Sequence, residues 1–347
     1  MKPQDYSNRW RLVFTALWLL TAIGCRPAAD NEVVVYTALD EEFSKPIFAH
    51  FAAETGAQVV PKFDTEATKT VGLTEAILAE RRRPRCDVFW NNEILNTLRL
   101  ERAGLLDEYR SPAAASFPGW AKSPDGAWHG FAARARILIV NTKIVPETER
   151  PTSIRDLADP RWRGKTGIAK PLFGTTATHA ACLFAALGKE EAQKLFRAMK
   201  ENEVRIEAGN KQVAISVAAG RLAFGLTDTD DALVQIAQHD PVTIVYPDQS
   251  EVQFGTLFIP NTLAIIKGGP NPAAARKLVD YLLSAEVERR LAAGPSGQIP
   301  LNPAVDIETK VKTPREVKAM QLDWQRAADN WADAAQFIRD EFAVAGQ

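Results

Sequence analysis

The chain has few of the residues that carry chemistry in compact motifs. Its 347 residues include 3 cysteines and 4 histidines. The histidines show no metal-ligand spacing, and the sequence contains no GxSxG, CxxC or HExxH motif. These absences exclude the usual sequence signatures of serine hydrolases, dithiol redox proteins and zinc peptidases.

The chain also lacks an excess of charge of either sign. It has 42 Lys and Arg against 43 Asp and Glu, for a net charge of -1. Nothing in this balance favours nucleic acid or a strongly anionic surface as a partner. Hydrophobic residues make up 46% and charged residues 24%, which is an ordinary globular composition.

Long hydrophobic runs are absent beyond the N-terminus. There, Arg9 and Arg11 precede the apolar run Leu12 to Ile23, which at 12 residues is shorter than the roughly 20 that span a bilayer. Residues 1–25 therefore resemble a secretory signal, and Cys25 after Ala-Ile-Gly resembles a lipobox cysteine. We expect lipidation at Cys25; the alternative is a plain signal peptide with an incidental cysteine. Either predicts an extracytoplasmic protein in the periplasm or at the cell surface.

The two remaining cysteines are Cys86 and Cys182. Cys86 opens an apolar strand, and Cys182 lies in a helical apolar stretch. A disulfide is compatible with an extracytoplasmic compartment, but the pattern favours two separate buried thiols.

The first part of the chain alternates strand and helix patterns. EVVVYTA from Glu32 is a β-branched run, and Phe43, Ile47, Phe48 and Phe51 have helical spacing. Two further strand and helix pairs follow before residue 105. This alternation predicts an α/β fold with a parallel sheet and helices on both faces.

Two long extended segments, near residues 131–142 and 256–266, flank a second α/β set. They predict a bilobal periplasmic-binding-protein fold, in which two α/β lobes are joined by two extended hinge segments. The expected divisions are listed here: residues 31–133 and about 262–305 for lobe 1, residues 134–261 for lobe 2, and residues 306–347 for a C-terminal helical segment on the lobes.

Polar residues follow several strands where each strand ends, and ligands of open α/β sheets bind there. The densest group is Thr227-Asp228-Thr229-Asp230-Asp231. One or two of these residues could simply cap the next helix. Three carboxylates favour ligand contact, most of all by Asp228, with a hard cation, an ammonium group or sugar hydroxyls.

Other candidates have an alternative structural role. Asp40 could contact ligand or cap the helix that follows it. Arg134 and Arg136 lie two apart on an extended segment, so they point to one side and could hold an anion or pair with nearby carboxylates. Thr175 and Thr176 follow Gly174 at a helix start, where backbone N–H groups could bind an anion or the hydroxyls could act as caps.

Four stretches together resemble the extracellular solute-binding proteins of ABC importers, in particular the ferric-iron-binding branch. They are VVVYTALDEE, CDVFWNNE, WHGFAARARILIVNT and DLADPRWRGKTGIAKP. The likeness runs from about residue 33 to residue 305. It implies a non-enzymatic, monomeric binding protein that delivers its solute to a permease in the cytoplasmic membrane.

The resemblance implies ferric iron or another hard metal as solute, with a synergistic anion, and matches Glu93 to an acidic ligand position. Asp40, Glu93 and Asp228 are the expected metal ligands, and Asp230 an additional ligand contact. The branch usually has two adjacent tyrosines where this chain has Asp228 to Asp231, and this difference keeps a polar organic solute open: a polyamine, thiamine, a phosphonate or a sugar phosphate. More remote alternatives are a secreted metal-dependent hydrolase and a binding protein that signals to a membrane sensor.

Overall fold

The structure, a computed structural model, describes residues 31–65 and 68–343. The apolar run Leu12 to Ile23 and Cys25 lie outside the described residues. Within those residues the chain has a mixed α/β fold with a ten-stranded sheet. No helix of this part of the chain combines the length and apolar character needed to cross a membrane.

Two sets of elements build the fold. The strands are β1 (Glu32–Thr37), β2 (Gln58–Phe63), β3 (Val88–Asn91), β4 (Leu106–Asp107), β5 (His129–Asn141), β6 (Thr166–Ala169), β7 (Arg205–Glu207), β8 (Phe224–Asp228), β9 (Val242–Val245) and β10 (Phe258–Ile266). The helices are α1 (Glu41–Thr55), α2 (Val71–Ala79), α3 (Leu95–Arg102), α4 (Gly174–Leu187), α5 (Lys189–Glu201), α6 (Asn210–Ala218), α7 (Thr229–Ala237), α8 (Pro272–Leu282), α9 (Ala285–Ala293), α10 (Trp324–Asp329) and α11 (Trp331–Phe337).

The first lobe is built on parallel strands β1, β2 and β3, with β1 in the middle. Helix α1 packs its apolar face on this sheet through Phe43, Phe48 and Phe51. The helix ends at Gly56, which adopts a left-handed φ of 69° that glycine reaches without a steric cost. Because the three strands are parallel, their carboxyl ends lie at one edge of the sheet. The loops that lead into the strands lie at the opposite edge.

The long strands β5 and β10 join the two lobes. Antiparallel pairing with β10 uses the first half of β5, up to Ala135. From Arg136 onward β5 pairs instead with β8 and β9. Every residue of β5 is buried, because one half of the strand is in the core of each lobe. These are the two extended segments that the sequence predicts as hinges, and the bilobal fold is confirmed.

The second lobe repeats the α/β plan around β6 and β8, which are parallel neighbours. Gly167 on β6 and Gly225 on β8 lie opposite each other, and helix α6 packs closely above them. Because Gly225 has no side chain, Val213 of the helix can approach the sheet there, while Leu222 fills the space at Gly167. This close approach brings the start of α6 next to the end of β8.

Local signals set the helix boundaries. Helix α2 ends at Ala79, and a turn leads from it to Pro84. The apolar stretch after Pro272 forms two helices, because the hydroxyl of Ser284 accepts a hydrogen bond from the N–H of Val287 and starts α9. In the tail, the helices begin only at Trp324.

The C-terminal helices contact both lobes. Arg102 at the end of α3 forms an ion pair of 2.8 Å with Asp329. On the second lobe, the ring of Phe337 packs against Phe184 and Phe196. The tail therefore packs against both lobes.

The two cysteines of the described chain are buried free thiols, as the sequence favours. Cys86 precedes β3 in lobe 1, and Cys182 lies on α4 in lobe 2. Burial raises the pKa of both thiols well above the usual value, so neither is a reactive thiolate.

Substituting Gly225 by alanine should destabilise lobe 2. The added Cβ would lie 2.5 Å from Cγ1 of Val213 and 2.8 Å from the carbonyl oxygen of Gly167, so α6 must move away from the sheet. Overpacking of this kind costs about 1–3 kcal/mol, to be measured as a lower unfolding midpoint in urea. Gly119→Ala is the matched control, since its Cβ meets nothing within 4 Å. Equal midpoints for the two variants would contradict the prediction.

Candidate functional site

An acidic cluster lies at the carboxyl end of β8, where it leads into α7. Asp228 is the last residue of the strand, and Asp230 and Asp231 are in the first turn of the helix. One carboxylate oxygen from each of the three residues lies within 4.8 Å of the others. None of the three side chains caps α7, so the structural alternative of helix capping does not account for them.

Asp228 is held by a buried network on lobe 2. Its Oδ1 pairs with Nη1 of Arg136 at 2.8 Å, and its Oδ2 accepts hydrogen bonds from the hydroxyl of Thr175 (2.6 Å) and the amide of Asn210 (3.1 Å). Nη2 of Arg136 donates to the hydroxyl of Thr176. Arg136 is 0% exposed, and Asp228 is its acidic partner. The network positions the carboxylate of Asp228 and engages both terminal nitrogens of Arg136, while Nε of Arg136 is buried without a hydrogen-bond partner among the described residues.

Asp230 forms the second ion pair. Its Oδ2 lies 3.0 Å from Nη1 of Arg134, whose Nη2 donates to the side-chain oxygen of Asn261. The other oxygen of Asp230, Oδ1, is buried and accepts no hydrogen bond from the described residues. A buried carboxylate oxygen without a donor is costly unless a ligand uses it.

Burial, together with neighbouring negative charge, raises the pKa values of Asp230 and Asp231. Burial raises the pKa of Asp230 to about 6; Arg134 opposes this shift, while Asp228 and Asp40 add to it. Burial also raises the pKa of Asp231 well above its usual value, and the charges of Asp230 and Asp228 raise it further. Asp231 forms no ion pair with another described residue; its Oδ2 accepts only a long hydrogen bond from Thr227, at 3.4 Å. The site is short of positive charge.

Lobe 1 contributes Asp40 and Lys69, which form an ion pair. Asp40 occupies the position before α1, but its side chain does not cap the helix. Burial alone would raise the pKa of Asp40, yet Lys69 outweighs burial and holds it below the usual value. An open depression of about 750 Å³ beside Asp40, lined also by Glu42, Lys45 and Lys211, leads to solvent.

The two lobes touch across the cleft. The N–H of Gly174 donates to the carbonyl of Lys69 at 2.9 Å, and Nζ of Lys211 pairs with Glu42 at 2.9 Å. The hydroxyl of Thr178 donates to Glu93 at 2.8 Å. These contacts describe a closed cleft.

Glu93 is fully buried and belongs to this interface. Besides Thr178, its carboxylate accepts hydrogen bonds from the N–H groups of Leu95 and Asn96 and from the amide of Asn91. It therefore anchors the start of α3 and ties it to lobe 2. Unlike Asp228, Glu93 is outside the three-carboxylate cluster. Its carboxylate could bind a ligand only by losing hydrogen bonds that it accepts from Asn91, Leu95, Asn96 or Thr178.

The structure brings together most of the residues that the sequence selects. Asp228, Asp230, Arg134, Arg136, Thr175 and Thr176 share one neighbourhood on lobe 2, with Asp40 facing them. Asn210 and Lys69 are functional neighbours that sequence reasoning missed. Asn210 comes from the start of α6, which no sequence signal relates to β8, and Lys69 stands in a loop before α2.

Comparison with known proteins places this architecture in a family. Residues 97–330 match the model of the bacterial extracellular solute-binding proteins. This chain belongs to that family. One similar relative is iron uptake protein A1 of Synechocystis, 27% identical over 77% of this chain and 75% of the relative.

Two solved structures share the fold of this solute-binding protein. Iron-bound HitA from Pseudomonas aeruginosa has a TM-score of 0.79 and 23% identity over 88% of this chain and 99% of HitA. A Trichodesmium protein in complex with iron and citrate has a TM-score of 0.71 and 24% identity over 88% of this chain and 98% of that one. These likenesses confirm the fold, while the ligand has to be argued from the cleft.

Proposed function

We propose that this solute-binding protein binds ferric iron, or another hard metal cation, in the cleft between its lobes and delivers it to an ABC permease. The observation that carries the proposal is the cluster of Asp228, Asp230 and Asp231, with an unused, buried Oδ1 on Asp230. Hard cations prefer carboxylate oxygens. A cation there would supply the missing positive charge and a partner for that oxygen.

The charges of the site favour a cation over an anion. Four carboxylates, those of Asp40, Asp228, Asp230 and Asp231, meet three basic groups, all of which already have acidic partners. A phosphonate or sugar phosphate would need Arg134 or Arg136 to leave a buried ion pair, which costs several kcal/mol. An anion such as citrate would enter together with the metal and fill coordination positions that the aspartates leave open.

Closure of the lobes would complete the site. Asp40 reaches the cluster from lobe 1, close enough for its charge to raise the pKa of Asp230 and Asp231. A cation held between Asp40 and the cluster would draw the lobes together, because it interacts with both only in the closed state. We therefore keep Asp40, Asp228 and Asp230 as ligands and add Asp231. Glu93 would become a metal ligand only if its carboxylate lost some of the hydrogen bonds that it accepts in this structure.

The proposal also covers the fate of the solute, the oligomeric state, the cellular location and the lobe boundary. Relatives with this architecture are binding proteins, and we propose that this chain likewise releases its solute unchanged, as a monomer. We propose a periplasmic or cell-surface location, with anchoring through a lipid on Cys25. The strand pairing supports a lobe boundary where β5 passes from β10 to β8, near residues 134–136.

Thermal unfolding of the metal-stripped full chain tests the ligand. The panel contains ferric citrate, citrate alone, divalent metals, spermidine, thiamine, glucose 6-phosphate and 2-aminoethylphosphonate. A ligand at 100 times its dissociation constant stabilises by about 2.7 kcal/mol, a shift of several degrees. We expect a shift with ferric citrate and none with citrate alone. A shift only with spermidine or thiamine would replace the metal by an organic cation, and a shift only with a phosphorylated solute would overturn the site assignment.

Cation affinity should increase with pH between about 5 and 7. The pKa of Asp230 is about 6 in the unliganded protein, so below that pH the cation must displace a proton. Each displaced proton changes the affinity about tenfold per pH unit, to be measured as ferric ion competition against a chelator of known pH dependence. Asp230→Asn is the control and should make the profile less steep, because only the proton of Asp231 then remains to be displaced. Equal slopes for the wild type and the variant would contradict carboxylate ligation by Asp230.

A further inference from the structure

A basic cluster lies on lobe 1, outside the cleft. It consists of Arg81, Arg82, Arg83 and Arg85, which are exposed, together with the neighbouring Lys267. None of these side chains forms an ion pair with another described residue. Glu80, the nearest acid in sequence, instead accepts a hydrogen bond from the hydroxyl of Tyr36. The cluster is a local excess of positive charge that the net charge of -1 does not reveal.

Topology places this basic cluster at the edge of lobe 1 opposite the cleft. Helix α2 begins at the cleft edge, where the N–H of Thr70 binds Asp64, and runs back across the sheet. Arg85 precedes β3 by three residues, at the amino end of that strand. Lys267 follows antiparallel β10, whose last residues pair with the first residues of β3. All five basic residues therefore lie where the parallel strands begin.

The described chain also begins at this edge. Strands β1 and β3 are parallel, with Val35 paired to Val88, so Glu32 at the start of β1 is level with Arg85. Only five residues separate Cys25 from Asn31. Six Cα steps span at most about 20 Å. An anchor at Cys25 would therefore hold the basic cluster near the membrane surface.

We propose that the basic cluster is a membrane-docking surface that binds the anionic headgroups of phospholipids. Arginine guanidinium groups bind phosphate oxygens in a bidentate way, and each basic residue near an anionic bilayer adds to the attraction. Docking of this edge turns the cleft away from the lipid surface to which the protein is tethered, so delivery to a permease requires the protein to leave the docked state and turn. The cleft then opens toward the aqueous compartment from which the solute arrives.

Vesicle cosedimentation of the full chain tests the docking surface. All proteins carry Cys25→Ser, so that no acyl chain contributes and failure of the docking surface is distinct from failure of lipidation. The vesicles are phosphatidylethanolamine with phosphatidylglycerol, or phosphatidylcholine alone. The test variant replaces Arg81, Arg82, Arg83 and Arg85 by glutamine. We expect its affinity for the anionic vesicles to fall by roughly two to three orders of magnitude.

A matched variant separates the docking surface from total charge. It replaces four exposed basic residues elsewhere, Arg110, Lys143, Arg205 and Arg315, by glutamine. We expect this control to bind the anionic vesicles nearly as the parent does. Because the apolar run Leu12 to Ile23 is present throughout, only differences between variants and between lipids are informative. Equal binding by the two quadruple variants, or equal parent binding to both vesicle types, would overturn the proposal.

Orientation on the vesicle gives a second readout. A fluorophore on Ala79→Cys would lie beside the basic cluster, and one on Lys45→Cys beside the opening of the cleft. Brominated lipids quench fluorophores at the bilayer surface. We expect quenching of the first label and not of the second. The reverse pattern would show that the protein docks by the cleft edge.

Discussion

Replacing Asp231 by asparagine is expected to make the unliganded protein more stable at neutral pH while weakening its affinity for ferric ion. In the wild type this carboxylate is forced against Asp228 and Asp230 without an ion-pair partner of its own. Asparagine has the same shape and still accepts the hydrogen bond from Thr227. We expect a gain of at least about 1 kcal/mol, or about 2 °C in melting temperature.

The gain should depend on pH in a defined direction. Burial and the neighbouring carboxylates raise the pKa of Asp231 in the folded protein, so the folded state keeps this proton to a higher pH than the unfolded chain does. Raising the pH through that window therefore destabilises the wild type relative to Asp231→Asn. The difference in melting temperature should vanish near pH 4 and grow toward pH 8.

Ferric ion should reverse the order of the two proteins. The wild type gains the free energy of ligand binding, whereas the variant lacks one carboxylate and should bind about 100-fold more weakly or worse. Asp306→Asn is the control, because it makes the same chemical change at an exposed position that forms no ion pair with another described residue. Lower stability of unliganded Asp231→Asn would contradict the crowding of negative charge at this position, and unchanged ferric affinity would show that Asp231 is not a metal ligand.

Removing the guanidinium of Arg136 should give the largest loss of stability. The side chain is 0% exposed, and Nη1 donates to Asp228, Thr175 and Asn210. Arg136→Met leaves the buried carboxylate of Asp228 without its counter-charge. Breaking a buried pair in this way costs about 3–5 kcal/mol, to be measured by urea unfolding followed by circular dichroism.

A control variant and a double variant show whether the loss of stability in Arg136→Met comes from the broken buried ion pair. Arg163→Met removes an exposed arginine paired with exposed Glu203, and should cost at most about 1 kcal/mol. Adding Asp228→Asn to Arg136→Met should recover part of the loss, because no uncompensated buried charge remains. A cost for Arg136→Met no larger than that for Arg163→Met would mean that the network does not hold the cleft residues in place.

The hinge strands and the acidic cluster are features that local sequence patterns predict. Apolar runs as long as those of β5 and β10 predict strands buried in both lobes, and their separation along the chain predicts the bilobal plan. Three aspartates within four residues at the end of an apolar run likewise predict a polar site there. Such features depend on near neighbours in the chain, so they can be read from it directly.

What the sequence determined by itself is the fold class, the order of most elements, the acidic cluster and the absence of common enzymatic motifs. Only the tertiary structure decided which charges meet. It paired Arg136 with Asp228 and Arg134 with Asp230, instead of leaving them open to an anion. It brought in Asn210 and Lys69, and it placed four arginines at the edge opposite the cleft. The physical reason is that an ion pair depends on distance in space, and residues 92 apart in the chain become neighbours only when strands β5 and β8 align.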